Sequence, residues 1–193
     1  MIRVTGGSLR GQTLKVPRGL ETRPTLSKVR SALFDSIQSA RGACTSSDRV
    51  LDLFSGSGIL GFEALSRGAG SAVFVEKSPK VCRLIIENAR HLGVESAVKV
   101  ISGEWPKVAG RVLKLAPFDL VLADPPYDRG WALRVADWVA GHPQHIRDNG
   151  IVSIEWREKG LNSLPGQAGT LGKWREKRYG DTRLSLYFKE GMN

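Results

Sequence analysis

A glycine-rich loop near residue 50 has the residue types of a cofactor-binding turn. The segment 50–61 reads VLDLFSGSGILG, with glycines at 56, 58 and 61 in the order G-x-G-x-x-G. Glycines in this order let the backbone approach a bound cofactor and let the following helix pack closely on the strand. Glu76 closes the next apolar run, where a carboxylate can accept hydrogen bonds from both hydroxyls of a ribose. Together these features predict a cofactor that contains adenosine.

Two such cofactors, NAD and S-adenosylmethionine, fit the glycines and Glu76 equally well. Asp52, shortly before the glycines, favours the second, because a carboxylate beneath the cofactor suits a ligand with an ammonium and a sulfonium group. The same carboxylate would repel a pyrophosphate. An NAD-dependent oxidoreductase with the same loop, and a tight glycine turn that binds no ligand, remain as alternatives.

A second group of residues, Asp124-Pro125-Pro126-Tyr127, comes directly after another apolar run. The prolines fix two φ angles at about −65° and remove two backbone donors, which leaves carbonyl groups and the Asp124 carboxylate as a rigid set of acceptors. Such a set suits an N–H donor, and the exocyclic amino group of a nucleobase offers two. Accepting both would aim the nitrogen lone pair at a methyl sulfonium, with Tyr127 stacked on the base. A proline turn covered by a packed aromatic ring is the simpler alternative.

The spacing of apolar residues predicts the elements that position these loops. Short apolar runs alternate with helical stretches, which is typical of βαβ units around a parallel sheet buried on both faces. In a doubly wound sheet the first and fourth of these strands are neighbours, so we expect both loops to face one crevice. The predicted strands cover 49–54, 71–76, 98–101, 118–123 and 150–155. The predicted helices cover 58–67, 79–92, 105–115 and 129–140.

The two ends of the chain add smaller elements. Residues 2–7 and 14–17 alternate apolar and polar side chains around a glycine-rich bend, which indicates a hairpin, and 25–39 have the spacing of an amphipathic helix. Residues 169–179 and 182–188 are strand-like, and Gly180-Asp181 between them suits a tight turn. The predicted fold is therefore α/β: one Rossmann-like, doubly wound, mostly parallel sheet that ends in an antiparallel hairpin. Residues 1–40 form a basic extension and 41–193 the cofactor-binding and catalytic core of a single domain.

The composition excludes several classes of protein. The 193 residues are 41% hydrophobic and 25% charged, as in a globular domain rather than a disordered or fibrous chain. The longest apolar runs are far below the roughly 20 residues that cross a bilayer, and the start MIRV lacks an apolar signal core, so we expect a cytoplasmic protein with no membrane partner. Cys44 and Cys82 lie far apart, and we expect both thiols to be reduced and structural.

The net charge of +10 is concentrated at the two ends. Residues 1–49 carry nine Lys and Arg against three Asp and Glu, 50–156 carry twelve against twelve, and 157–193 carry eight against four. A cationic surface attracts polyanions through counterion release, which makes RNA or DNA a plausible partner. A charge that serves only solubility is the alternative.

The two loops and the segment before them resemble a known family. LDLFSGSGILGFEALSRGA at 51–69 and DPPY at 124–127 are similar to class I S-adenosylmethionine-dependent methyltransferases that modify planar nitrogens. With RPTLSKVRSALFDSI at 23–37 and the basic hairpin before it, the chain resembles the RsmD type from about residue 2 to 188. The resemblance implies methyl transfer to the N2 of a guanine in 16S ribosomal RNA, with S-adenosylhomocysteine as the other product. DPPY alone also admits enzymes that act on adenine N6 of DNA or RNA, or on glutamine.

The resemblance also implies roles for particular residues. Asp124, Pro125, Pro126 and Tyr127 would hold the guanine amino group, and Glu76 the ribose. Many relatives place an Asp after the third core strand for the adenine amino group; here the sequence is Ser102-Gly103-Glu104, and Glu104 is the candidate substitute. The full set of candidate cofactor contacts is Asp52, Phe54, Ser55, Gly56, Gly58, Glu76, Lys77, Glu104 and Asp124. The candidate RNA contacts are Arg3, Arg10, Lys15, Arg23, Thr25, Lys28 and Arg30.

No metal is expected in this chemistry. In-line displacement of the methyl group needs no histidine base, because the alkylated amine is acidic enough to lose its proton to Asp124 or water. His142 and His145 have the spacing of a ligand pair but lack a third ligand. We expect the five tryptophans to be packing residues, and Trp131 fits this expectation least well. We expect the protein to act as a monomer on ribosomal RNA or the small ribosomal subunit. An RNA-binding module with a vestigial pocket is a further alternative.

Overall fold

A mixed β-sheet flanked by helices forms the framework of the protein. The computed structural model describes residues 1–17, 24–127, 130–157 and 163–191, and the side chains of 24–26 are not included. The α/β fold predicted from the sequence is confirmed. The strands are β1 Ile2–Arg3, β2 Thr13–Leu14, β3 Arg49–Leu53, β4 Ser71–Glu76, β5 Val98–Ser102, β6 Phe118–Ala123, β7 Ile146–Arg157, β8 Gln167–Ala168, β9 Leu171–Tyr179 and β10 Thr182–Phe188. The helices are α1 Pro24–Arg41, α2 Ile59–Ser66, α3 Pro79–His91, α4 Ala109–Leu113 and α5 Trp131–Gly141.

The order of the strands places both predicted loops at the same edge of the main sheet. Strands β5, β4, β3, β6 and β7 are parallel in that order, and β10, β9 and β8 continue the sheet in antiparallel fashion. Leu51 of β3 lies opposite Val121 of β6. This pairing confirms the predicted adjacency, and it brings the residues that follow Leu53 and Ala123 to neighbouring positions at the carboxyl edge.

Each face of the sheet carries its own apolar core. Helices α4 and α5 cover one face, where Val112 and Val135 are fully buried against Val121 of β6. Helices α1, α2 and α3 cover the other face, where Phe34 and Ile85 are buried with strand residues. Because the central strands are apolar on both sides, β6 is buried along its whole length.

Two predicted elements of the core differ from the structure by more than two residues at one end. The helix predicted over 105–115 is regular only at 109–113, because Trp105 turns into the core and the Ala109 amide bonds to the carbonyl of Pro106 in a tight turn. The strand predicted over 150–155 is longer on both sides and reaches Arg157, which pairs with Thr182 of β10. Strand pairing rather than local apolarity maintains these outer residues of β7.

The N-terminal hairpin, β1 and β2, docks on α2 and α3 through polar contacts. Glu63 accepts hydrogen bonds from the Thr5 amide at 2.8 Å and from the Thr5 hydroxyl at 2.7 Å. The buried Arg30 of α1 also pairs with Glu63, at 3.2 Å. At the other end of the hairpin, the Lys15 amide donates to Asn88 at 3.0 Å. Glu63 therefore joins the hairpin, α1 and α2 in one buried network.

The N-terminal end of helix α1 lies towards the carboxyl edge of the sheet. Its last residue, Arg41, pairs with Asp48 at 2.8 Å, just before β3 begins at the amino edge. Eighteen helical residues extend about 27 Å, longer than a five-residue strand. Arg67, after α2, lies over the Phe34 ring, and Arg30, one turn earlier in α1, pairs with Glu63 within α2, so the two helices run in the same direction. Because α2 begins at the glycine loop, the first turns of α1, including the exposed Lys28, lie towards that edge of the sheet.

Within the described residues, no helix combines the length and apolar character needed to cross a bilayer.

Candidate active site

The glycine loop after β3 is held in a left-handed conformation by contacts with β4. Phe54, Gly56 and Gly58 have φ angles of 60°, 51° and 79°. The Ser55 amide donates to the Val75 carbonyl at 3.0 Å, and the Ser55 hydroxyl donates to the Asp52 carbonyl at 2.7 Å. Phe54 adopts this uncommon conformation without being glycine and lines the cavity described below, as strained residues often do at functional sites.

Glu76, at the end of β4, is fixed beside the glycine loop. One carboxylate oxygen accepts a hydrogen bond from the Gly56 amide at 3.1 Å, and the other accepts one from the Ser78 amide at 2.8 Å. Each carboxylate oxygen can accept more than one hydrogen bond, so both can still accept hydroxyl donors from the cavity. Ser78 immediately precedes α3, and its side chain makes no capping hydrogen bond.

Asp52 lies behind the glycine loop rather than in the cavity lining. It is 1% exposed, and its carboxylate accepts a hydrogen bond from the Gly61 amide at 2.9 Å. Burial, opposed by this hydrogen bond and assisted by Glu76, raises the pKa of Asp52 to about 7. Asp52 thus supports the turn into α2. Gly58 also faces the protein, since an added Cβ would lie 2.8 Å from the Phe62 ring.

Both predicted loops open into one cavity of about 460 Å³. This confirms the central inference from strand order, and the volume lies in the usual range of small-ligand sites. The glycine-loop side contributes Phe54, Glu76 and Lys77, and the other side contributes Asp124 and Tyr127. The complete lining is Phe54, Val75, Glu76, Lys77, Gly103, Glu104, Trp105, Asp124, Pro125, Pro126, Tyr127, Trp131 and Arg157. The candidates Ser55 and Gly56 follow Phe54 in the loop and are not part of this lining.

Asp124 is open to the cavity, although protein surrounds its carboxyl group on the other sides. Burial raises its pKa well above the ordinary value, and the nearby carboxyl groups of Glu155 and Asp52 raise it further. The positive charge of Arg157 opposes this shift. A carboxylate in these surroundings is a stronger base than an ordinary aspartate, and it accepts a proton more readily.

Tyr127 is held by two residues of β7. Its hydroxyl donates to Glu155 at 2.9 Å, and the guanidinium carbon of Arg157 lies 4.0 Å from the centre of its ring. Burial, with the charges of Asp124 and Glu155, raises the pKa of the Tyr127 hydroxyl, so it remains a donor. Burial also raises the pKa of Glu155, against the effects of Tyr127 and Arg157. Tyr127 is 40% exposed, and the part of its ring that Arg157 leaves uncovered offers an apolar surface to a planar ligand.

The turn after β5 forms the far end of the cavity. Gly103 leaves no room for a side chain, because an added Cβ would lie 2.2 Å from a methyl group of Val108. Glu104 lines the cavity and pairs with Lys107 at 2.8 Å. Trp105 is buried against Trp138, with ring centres 4.7 Å apart. The proposed contact of Glu104 with an adenine amino group stays a prediction, and its location at the cavity is compatible with it.

Several lining residues were not among the sequence candidates. Trp131 and Trp105 were interpreted as packing residues, and both also face the cavity. Arg157, which lines the cavity, and Glu155, which lies behind it and binds the Tyr127 hydroxyl, were missed, although both stand near the end of a strand that neighbours β6. Extending the switch-point argument by one strand would have found them, since the ends of neighbouring parallel strands share an edge.

The candidate RNA contacts separate into exposed and buried residues. Arg3, Arg10, Lys15 and Lys28 are exposed. Arg30 is 3% exposed, and its guanidinium is bound to Glu63 and to the Arg3 carbonyl, so its assignment as an RNA contact is corrected to a structural role. Arg23 and the side chain of Thr25 lie outside the described residues.

His142 and His145 lie near each other, with ring centres 5.8 Å apart. In the described part of the chain, no group of three or more His, Cys, Asp or Glu side chains is arranged to hold a metal ion. Metal independence stays a prediction. Cys44 and Cys82 are both free thiols, as expected.

Comparison with known proteins places the chain in a family. The model of the family described as "Conserved hypothetical protein 95" matches residues 2–188. The chain belongs to this family. Ribosomal RNA small subunit methyltransferase D of Escherichia coli K12 is 32% identical over 191 residues, which cover 99% of this chain and 91% of that protein. The resemblance to RsmD-type methyltransferases, and the prediction of an enzyme, are confirmed.

Solved structures share the fold of this chain. A hypothetical protein of Thermus thermophilus is 29% identical, with a TM-score of 0.77 over 99% of this chain and all of the other. An RNA methyltransferase of Salinibacter ruber, solved in complex with S-adenosyl-L-homocysteine, is 13% identical, with a TM-score of 0.58 over 90% of this chain and 96% of the other. The second likeness shows the fold alone.

Proposed function

We propose that this enzyme transfers a methyl group from S-adenosylmethionine to the N2 of a guanine in 16S ribosomal RNA of the small subunit. The observation that carries the proposal is the shared cavity, in which Glu76 and Asp124 stand at the ends of two strands separated only by β3. The E. coli relative, named as a methyltransferase of small-subunit ribosomal RNA, supports the choice of substrate.

The described residues fit S-adenosylmethionine. Glu76 is oriented by two backbone amides and can accept both hydroxyls of a ribose. Glu104 and Lys77 also line the cavity, and Phe54 follows β3, the strand that lies between β4 and β6. When bound, this cofactor supplies an electrophilic methyl group on a sulfonium.

The residues on the other side of the cavity suit an amino group that attacks this methyl. Asp124 accepts an N–H of the amino group and orients the nitrogen. Pro125 and Pro126 carry no backbone N–H, so they offer only acceptors there. Tyr127 provides the ring on which the base stacks. Because its pKa is raised, Asp124 is suited to take the proton that the nitrogen releases after alkylation.

The first turns of α1 and the hairpin give the RNA a cationic approach to the cavity. Lys15 is 71% exposed and lies beside Asn88, whose side chain also donates to the Ser57 carbonyl in the glycine loop at 3.4 Å. Lys28 is exposed on α1. We expect these positive charges to bind phosphates, and the protein to work as a cytoplasmic monomer.

Replacing Asp124 by Ala tests the proposal. We expect the variant to lose methyl transfer while its affinity for S-adenosylhomocysteine, measured by calorimetry, stays within a few fold. Asp148→Ala is the matched control, because Asp148 is an exposed carboxylate that pairs with Lys189 near the start of β7. Loss of cofactor affinity equal to the loss of activity would contradict the role of Asp124.

The substrate is identified by labelling. The wild-type enzyme is incubated with methyl-labelled cofactor and, separately, with 16S RNA, small subunits, transfer RNA and DNA, and the labelled nucleoside is then determined. We expect N2-methylguanosine from 16S RNA or small subunits. Labelled adenine, or no labelled nucleic acid, would overturn the proposed substrate.

A further inference from the structure

Arg157 stands in the cavity wall beside the residues that would hold the target base. Its guanidinium lies over the Tyr127 ring at 4.0 Å, and its charge opposes the upward pKa shifts of Asp124 and Glu155. Its Nε is buried and has no hydrogen-bond partner within the described residues. A buried N–H without a partner costs free energy, so its presence at a ligand cavity indicates an acceptor supplied by the ligand.

The position of Arg157 on β7 gives it a fixed relation to Tyr127. Glu155 and Arg157 are two residues apart on a strand, so their side chains leave the same face of the sheet. Glu155 holds the Tyr127 hydroxyl, and the longer Arg157 reaches across the ring. The guanidinium covers part of one face of the ring, so a base that stacks beside it on the same face would meet the N–H groups of Arg157 at one of its edges.

Guanine and adenine differ at this kind of contact. Guanine presents two acceptors, O6 and N7, to which a guanidinium donates two hydrogen bonds, whereas adenine presents an amino donor at C6. O6 and N7 form the major-groove edge of guanine, whereas N2 projects on the minor-groove side. Asp124 can therefore hold the amino group while Arg157 holds the other edge of the same base.

We propose that Arg157 selects guanine as the target base by donating hydrogen bonds to its O6 and N7. The inference rests on the proposed function, and it names the residue that separates a guanine enzyme from adenine enzymes with the same DPPY loop. Arg157 is then a specificity-determining residue that touches the substrate, and Glu155 is a positioning residue that acts through Tyr127.

The test compares two bases that both carry a 2-amino group. Small subunits are reconstituted with 16S RNA whose methylated position, mapped by the labelling above, carries either guanine or 2,6-diaminopurine, which has an amino donor at C6. We expect the wild-type enzyme to prefer guanine by about 10- to 100-fold in kcat/KM, because a good bidentate contact discriminates by that amount. Arg157→Gln should lose or reverse this preference, since an amide side chain pairs with a C6 amino group and N7.

Arg147→Gln is the control, because Arg147 lies at the opposite end of the same strand and is 45% exposed. It should keep the wild-type preference. Arg157→Lys keeps the charge but loses the fork of donors, so its preference for guanine should be weaker than that of the wild type and stronger than that of Arg157→Gln. This variant replaces Arg157→Gln in the test if the Gln variant does not fold. An unchanged preference, or an equal loss on both bases, would overturn the role of Arg157. Failure of the wild-type enzyme to methylate guanine N2 would instead overturn the proposed function.

Discussion

At the scale of single residues, the acidic groups around Asp124 determine how the enzyme responds to pH. Burial, Glu155 and Asp52 raise the pKa of Asp124, while Arg157 lowers it. A raised pKa means that the carboxylate forms only at higher pH than in an ordinary aspartate. Since Asp124 must be ionised to accept the N–H and the proton, kcat/KM should fall as pH falls through this raised pKa.

The Glu155→Gln variant tests this dependence. It removes one negative charge that raises the pKa of Asp124, while the Gln carbonyl can still accept the Tyr127 hydroxyl. We expect the acidic limb of the plot of log kcat/KM against pH to move to lower pH. Asp148→Asn, a change of the same kind away from the cavity, should leave the limb where it is. A limb that moves upward in Glu155→Gln would contradict the electrostatic account.

The sequence predicted the acceptors of the site better than its donors and aromatic walls. Asp124 and Glu76 follow apolar runs directly, so strand order alone brings them to one cavity. The sequence alone does not distinguish Arg30 from the exposed basic residues near it. Arg30 is buried because it pairs with Glu63, which comes thirty-three residues later in the chain. A pattern of local spacing carries no information on such a pairing. Arg157 lies at the end of a strand whose predicted length was too short to include it.

At the scale of elements, Glu63 is one of the residues that bind the hairpin to the core. Glu63→Gln would leave the buried Arg30 without its carboxylate. Loss of one partner from a buried ion pair costs about 3 to 5 kcal/mol, so we expect the free energy of unfolding in urea to fall by about 3 kcal/mol. Glu87→Gln is the control, because Glu87 pairs with Lys15 at the surface at 3.4 Å.

The surface pair of Lys15 and Glu87 should contribute less than about 1 kcal/mol to the free energy of unfolding. Equal destabilisation by the two changes would show that Glu63 is no more important to the fold than an exposed glutamate.

The parallel strands and the terminal hairpin strands were predictable because their periodicity is local. The docking of β1 and β2 was not, because it depends on polar partners in α2 and α3.

At the scale of the whole molecule, the excess positive charge at the ends of the chain should govern RNA binding. Replacing Arg10, Lys15 and Lys28 together by Ala should weaken binding and reduce the slope of log affinity against log salt by about 2 to 3, since each phosphate contact contributes roughly 0.7 to 0.9. Filter binding across a salt series measures the slope.

The matched control replaces Lys99, Lys114 and Arg147 by Ala. These residues are exposed near the amino ends of β5, β6 and β7, opposite the cavity, and their loss changes the net charge by the same amount. We expect the control to keep the wild-type slope. Equal slopes in the two triple variants would mean that only total charge attracts the RNA and that the N-terminal extension is not the binding surface.

The contacts of Thr5 with Glu63 and of Lys15 with Asn88 also have a consequence for synthesis on the ribosome. They join residues 58 and 73 positions apart in the chain. At roughly 5 to 20 residues per second, the first strands to emerge wait several seconds before their docking partners have been translated. The part of the chain that is made first therefore reaches its final place only after its partners in α2 and α3 have been made.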